Sequence, residues 1–187
     1  MPNIKCISEH SIDLDLLTGG IVIDVGCRGF AFSEGMRDAG CTVWAFDMEE
    51  MIAPPGIQFM QEAITVESGI YKYVNTKDKQ AKYISENGTE EVYSTGLNHI
   101  YFLHCQSIIV DVLKLDCEGS EYLILSDPNF QPIPRQITVE FHEHAHKNLH
   151  DQYFNACMEN LLKYYVPVQH VRDSRHGAGE NYWDSLF

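Results

Sequence analysis

The chain lacks what would tie it to a membrane, a polyanion or an oxidising compartment. No apolar run approaches membrane-spanning length, and Met1 to Asp15 carry no charged-then-apolar leader pattern. No cluster of lysine and arginine interrupts a formal net charge of −14, so nucleic-acid phosphates and anionic lipid are repelled. There is no C-x-x-C pair among the six cysteines, Cys6, Cys27, Cys41, Cys105, Cys117 and Cys157. Several of them lie in or beside apolar runs, where cysteine serves as a small core residue. Internal repeats, low-complexity segments and linkers are missing too. The expectation is a reduced, cytoplasmic protein with no nucleic-acid or membrane partner. Its 187 residues, 44% hydrophobic and 21% charged, suit a single domain over 1–187.

What is present is an alternation of buried strands and helices. Ile21–Val25 reads as a strand buried on both faces, Phe30–Ala39 as a helix stopped by Gly40, and Thr42–Phe46 as a second strand. Ile57–Ile64 resembles a third, and Ile70–Asn75 alternates like an edge or hairpin strand. Periodicity weakens over 76–107, which is expected to be a substrate-side insertion. Ile108–Leu115 returns as a strand, Gly119–Leu125 as a short helix, Ile137–Phe141 as a strand and Asn148–Tyr164 as a helix. Val166–Val171 and Tyr182–Phe187 form a closing pair around the polar Arg172–Glu180 turn, and residues 1–20 are a lead-in. The pattern predicts an α/β fold, a Rossmann-like and mostly parallel sheet with helices on both faces.

Two features within that frame carry chemistry. Asp24-Val25-Gly26-Cys27-Arg28-Gly29 follows the run Ile21-Val22-Ile23, and Asp47 closes the run Val43-Trp44-Ala45-Phe46. Glycines after a strand let backbone N–H groups approach a ligand, and an acid about 20 residues on can take ribose hydroxyls. An adenosine-bearing cofactor is the expectation; the competing reading is a tight turn with Asp47 capping a loop. A nicotinamide-dependent oxidoreductase would want G-x-G-x-x-G, where this chain has Gly26-Cys27-Arg28-Gly29-Phe30-Ala31. Nor do Tyr71, Tyr73, Tyr83, Tyr93 or Tyr101 have a lysine four residues on. That enzyme stays the alternative, beside a non-catalytic binding protein.

The second feature is Asp116-Cys117-Glu118-Gly119-Ser120-Glu121, with Lys114 unusually placed inside the preceding strand. Asp116 ends a buried strand at the rim where open α/β sheets bind ligands. Glu121 reads as a helix-capping carboxylate, and Lys114 either as a salt-bridge partner of a neighbouring carboxylate or as a stem that reaches the edge of the sheet. Glu140, His142, His144 and His146 share one face if their strand continues, which suits a divalent metal. Otherwise His142 touches substrate or its proton while His144 and His146 lie exposed. No metal is assigned to the site, and His170 and His176 read as surface residues.

The run Ile109–Leu125 resembles the hydrophobic-Asp-hydrophobic-hydrophobic-Lys-hydrophobic-Asp-x-Glu-Gly-x-Glu segment of FkbM-type S-adenosylmethionine-dependent methyltransferases. Val22-Ile23-Asp24-Val25-Gly26 through Ala45-Phe46-Asp47 resembles their first half, with Arg28 where a middle glycine is usual. Gln61-Glu62-Ala63-Ile64, Ser68-Gly69, Ile137–His142 and Asn181–Phe187 are similar to their later elements. The resemblance implies a seven-stranded class I methyltransferase fold and methylation of a hydroxyl on a sugar, glycan or small metabolite. It implies Asp24, Gly26, Cys27, Gly29, Asp47 and Asp116 as S-adenosylmethionine contacts. Asp116, His142 and Glu118 would be catalytic. Methyl transfer from a sulfonium is an in-line displacement, so acidic residues around the cation and one proton acceptor are what it needs.

Overall fold

The computed structural model describes residues 3–75, 82–105, 109–131, 133–143, 146–173 and 182–186. In chain order the elements are β1 (Ile4–Ile7), β2 (His10–Asp13), a 3-10 turn (Leu14–Leu16), β3 (Ile21–Val25), α1 (Ala31–Asp38) and β4 (Thr42–Asp47). There follow β5 (Ile57–Gln61), β6 (Ala63–Thr65), β7 (Gly69–Asn75), β8 (Lys82–Ile84), β9 (Glu90–Gly96) and α2 (Leu97–His104). The last six are β10 (Val110–Leu115), α3 (Ser120–Ser126), β11 (Gln136–His142), α4 (Lys147–Leu162), β12 (Gln169–Asp173) and β13 (Tyr182–Leu186).

The fold is α/β. Its main sheet runs β12-β13-β11-β10-β3-β4-β5. The five strands from β11 to β5 are parallel, and β13 is antiparallel to both its neighbours. The strands are apolar on both sides because both faces are covered, and side-chain alternation sorts them. Ile21, Ile23, Val25, Leu113, Leu115, Ile137, Val139 and Phe141 point into a core shared with α2, α3 and α4. Val22, Val43, Ala45 and Val112 point the other way, under Phe32 and Met36 of α1 and Ile12 of β2. Met36 is fully buried, and truncating such a side chain costs about 2–5 kcal/mol.

Three segments depart from the sequence pattern. Residues 1–20 hold more than a lead-in: β1 and β2 form a hairpin whose turn, Ser8 and Glu9, takes φ of 44° and 74°. Two left-handed central residues match the twist of a two-residue hairpin turn. All four residues of β2 are buried, and the Gln136 side chain ties them to β11 through the backbone N–H and C=O of Asp13 at 3.0 and 3.1 Å. The third strand is split at Glu62: β5 stays in the main sheet, while β6 joins a second, four-stranded sheet of order β6-β9-β7-β8. The aperiodic region 76–107 contributes β8, β9 and α2, with 76–81 and 106–107 outside the described residues. Among the described residues no helix is long and apolar enough to cross a membrane.

Candidate functional site

The chain proceeds from β3 outward through β4 to β5, then returns to the other side of β3 as β10 and β11. The crevice at the carboxyl ends of β3 and β10 is therefore the switch point where open sheets of this kind take ligands. The turns leaving the two strands touch: Asp116 N–H donates to the Val25 carbonyl at 3.1 Å. Gly26 sits at φ 77°, and a Cβ there would overlap the Asp116 carbonyl. Its glycine is thus needed for the approach of one chain segment to another. Gly29, at φ 75°, has no heavy atom within 4 Å of where a Cβ would stand, so the turn is open beside Arg28.

Lys114 is the electrostatic centre of the crevice. Its ammonium is buried, 3.1 Å from Asp24 Oδ1 and 3.2 Å from Asp116 Oδ2, and it donates to the Gly26 carbonyl at 2.7 Å. Burial alone would favour the neutral amine, but Asp116 and Asp24 overcome it and hold the pKa above that of an ordinary lysine. Asp24 is wholly buried and also accepts from the Ser33 hydroxyl of α1 at 2.6 Å. Its carboxylate reaches a ligand only through these two partners. Cys27 is buried beside it; burial, then the Asp24 charge, pushes its thiol far up, so it is no nucleophile.

Asp116 is the exposed member, with 28% of its side chain open. Two imidazoles face it: His10 Nε2 at 3.6 Å from Oδ2 and His142 Nε2 at 3.4 Å from Oδ1. Burial would raise its pKa, but Lys114, with the His10 and His142 rings beside it, holds it well below the carboxylate range. His142, at the end of β11, has Nδ1 3.1 Å from Glu121 Oε1, and its backbone N–H donates to the same oxygen at 3.2 Å. Burial would lower its pKa; Glu121, Glu118 and Asp116 together push it up to about 10, so the ring is a cation at neutral pH. Glu121 therefore does more than cap α3. Its Oε2 takes the Gly119 N–H at 2.8 Å while Oε1 anchors His142.

Glu118 lies at the rim, 3.8 Å from His142 Nε2, with burial raising its pKa. Its φ of 52° precedes Gly119 at 102°, two successive left-handed residues. A non-glycine residue held there stores strain of the kind concentrated at ligand sites. Asp47, across the crevice at the end of β4, accepts the Glu49 N–H at 2.9 Å, and burial raises its pKa.

His10 is what the sequence did not single out for this crevice, whereas Glu140 was read there as sharing a face with His142. His10 is 2% exposed, with Nδ1 3.3 Å from Thr138 Oγ1 and its ring edge-on to Phe32. No local pattern marks it, because β2 buries polar side chains against β11. The expected face of His142, His144 and His146 does not form as a strand, since β11 ends at His142 and the chain turns at Glu143. His146 stands before α4 with its ring 4.7 Å from that of Tyr83; His144 and His176 lie outside the described residues, and His170 stands in β12. The same Tyr83 belongs to β8, whose Lys82 reaches Glu49 at 3.7 Å. β8 thus bridges the Asp47 side of the crevice and the His142 side.

No protein-family model matches the chain, and a search of curated proteins returns no match. Among solved structures it is similar to the 1,6-didemethyltoxoflavin-N1-methyltransferase of Burkholderia thailandensis, determined with 1,6-didemethyltoxoflavin and S-adenosylhomocysteine bound. The likeness covers 89% of this chain and 69% of that one, at 13% identity and a TM-score of 0.41. At that distance it says nothing about chemistry.

Proposed function

We propose that the chain is an S-adenosylmethionine-dependent methyltransferase of FkbM-like type, acting on a hydroxyl of a sugar or small metabolite. The observation that carries this reading is the crevice itself. An open glycine turn, an acid at the end of the next strand and a half-exposed carboxylate meet at the switch point of a mostly parallel sheet. The motif of Asp111 through Glu121 supports it as well.

The residues fit that cofactor. Gly29 leaves room at the turn, Asp47 stands where ribose hydroxyls would be taken, and Asp116 is held ionised. When bound, S-adenosylmethionine supplies an electrophilic methyl group on a positively charged sulfur. Asp116 and Glu118 would place negative charge beside that cation. Asp116, held ionised, would accept the hydrogen bond of the acceptor hydroxyl and take up its proton. His142, charged and clamped by Glu121, fixes Asp116 and is no general base at neutral pH. Lys114 keeps the Asp24–Asp116 pair from repelling. Residues of β8 and the segment 76–107 would form the substrate side, consistent with the bridge that Lys82 and Tyr83 make.

Thermal denaturation with added ligand tests the reading. S-adenosylhomocysteine at 100 times its Kd stabilises by about 2.7 kcal/mol and raises Tm, whereas NAD leaves it unchanged. A shift with NAD alone establishes the oxidoreductase instead, and no shift with either ligand at millimolar concentration defeats the methyltransferase.

A further inference from the structure

We propose that His10, Asp116 and Glu140 form a binding site for one first-row divalent cation, Mn2+ or Zn2+. They come from three elements, β2, the turn after β10, and β11, and each offers one ligand atom within 4.8 Å of the others. The site is distinct from the histidine run after β11, of which it uses no member.

Three observations support a cation here rather than a chance gathering of polar groups. The first is the orientation of His10. Its Nδ1 lies against the Thr138 hydroxyl at 3.3 Å, and Nε2 faces Asp116. A ligating histidine is held in this way by a partner on its other nitrogen. The second is spacing. The 3.6 Å between His10 Nε2 and Asp116 Oδ2 is beyond good hydrogen-bond reach. It matches the roughly 3.0–3.6 Å that separates two ligands sharing a metal with bonds of 2.0–2.2 Å. The third is burial. Glu140 is 8% exposed and His10 2%, so two of the three donors are already held out of bulk water and need little reordering to take an ion.

Lys114 Nζ also stands 3.2 Å from Asp116 Oδ2, so an ion here shares that carboxylate with the ammonium, which has Asp24 and the Gly26 carbonyl as its other partners. One imidazole with two carboxylates suits Mn2+ or Zn2+ better than the all-oxygen shells of Mg2+ or Ca2+. Three protein ligands with the half-exposed Asp116 at the crevice side leave a coordination position open to a substrate oxygen. The site stands on its own geometry; the role of holding the acceptor oxygen rests on the methyl-transfer reading.

The test uses the full chain without a tag, stripped with chelator and titrated with MnCl2 and separately with ZnCl2 by calorimetry. One ion per chain is expected for at least one metal, with affinity reduced at least tenfold in Glu140→Gln and in His10→Ala. Glu140→Gln keeps the side-chain shape, so it decides the matter if His10→Ala melts early. No stoichiometric binding, or binding that both variants retain, overturns the proposal. S-adenosylhomocysteine is titrated into the same metal-free samples. Its binding without metal binding defeats the metal site alone, and metal binding without it supports the site while defeating the transferase.

Discussion

β10 carries a carboxylate near each end of one buried run, and the two are held by different sets of partners. Asp111, at the amino end, is fully buried and accepts the Thr18 N–H at 2.8 Å, the Thr18 hydroxyl at 2.8 Å and the Gly20 N–H at 2.9 Å. Asp116, at the carboxyl end, has charged or chargeable side chains around it, Lys114, His10 and His142, and stays open to solvent over 28% of its side chain. The Thr18 and Gly20 donors, with the Arg135 guanidinium 3.7 Å from Oδ1, tie Asp111 into a closed structural knot. Side-chain cations around an accessible carboxylate make a place where another molecule can enter. The same residue type in the same strand thus serves the fold at one end and a site at the other.

The sharpest way to break this contrast is to remove the cation. Lys114→Met leaves Asp24 buried without its counter-charge, and a loss of about 3–5 kcal/mol is expected in urea denaturation. Adding Asp24→Asn recovers a substantial part of it; no recovery would mean that the pair is not what the lysine stabilises. Asp111→Ala strands the Thr18 and Gly20 donors and costs about 2–4 kcal/mol, with S-adenosylhomocysteine affinity unchanged in the folded fraction. Asp116→Asn does the reverse. Turnover of a hydroxylated acceptor falls by about 100-fold or more while stability changes less than in Asp111→Ala. Equal stability losses in the two aspartate variants would erase the distinction.

The smallest effect is graded with pH. His142 has its pKa raised from 6.5 to about 10 by its carboxylate neighbours. The raised value means that its stabilisation is complete below about 6.5 and is lost as pH climbs through the folded-state value. In metal-free buffer stability should fall by about 2–3 kcal/mol between pH 7 and 9, and His142→Gln should flatten that slope.

The elements that the sequence made legible are those with local signals. β3, α1, β4, β10, α3 and β11 lie within a residue or two of their expected ends, because continuous apolar runs and the Gly40 stop are written locally. Asp24, Asp47 and Asp116 fell at strand ends for the same reason. The break at Glu62 was hidden because Ile57–Ile64 is apolar enough to read as one strand, and only competition between two sheets divides it. The β1–β2 hairpin was hidden because His10, Ser11 and Asp13 are polar and nothing local says that they are buried. An ion pair was one of two readings open for Lys114, and the sequence did not say which carboxylates it would join.

The sequence by itself determined the parallel strands, the glycine turn and the carboxylate at the end of β10, since each is a property of consecutive residues. Only the tertiary structure decided which groups surround that carboxylate. His10 meets Thr138 across 128 positions of chain, and His142 meets Glu121 across 21. Contacts of that span leave no periodicity to read, because they are selected by how the hairpin and helices pack on the sheet and not by their neighbours in sequence.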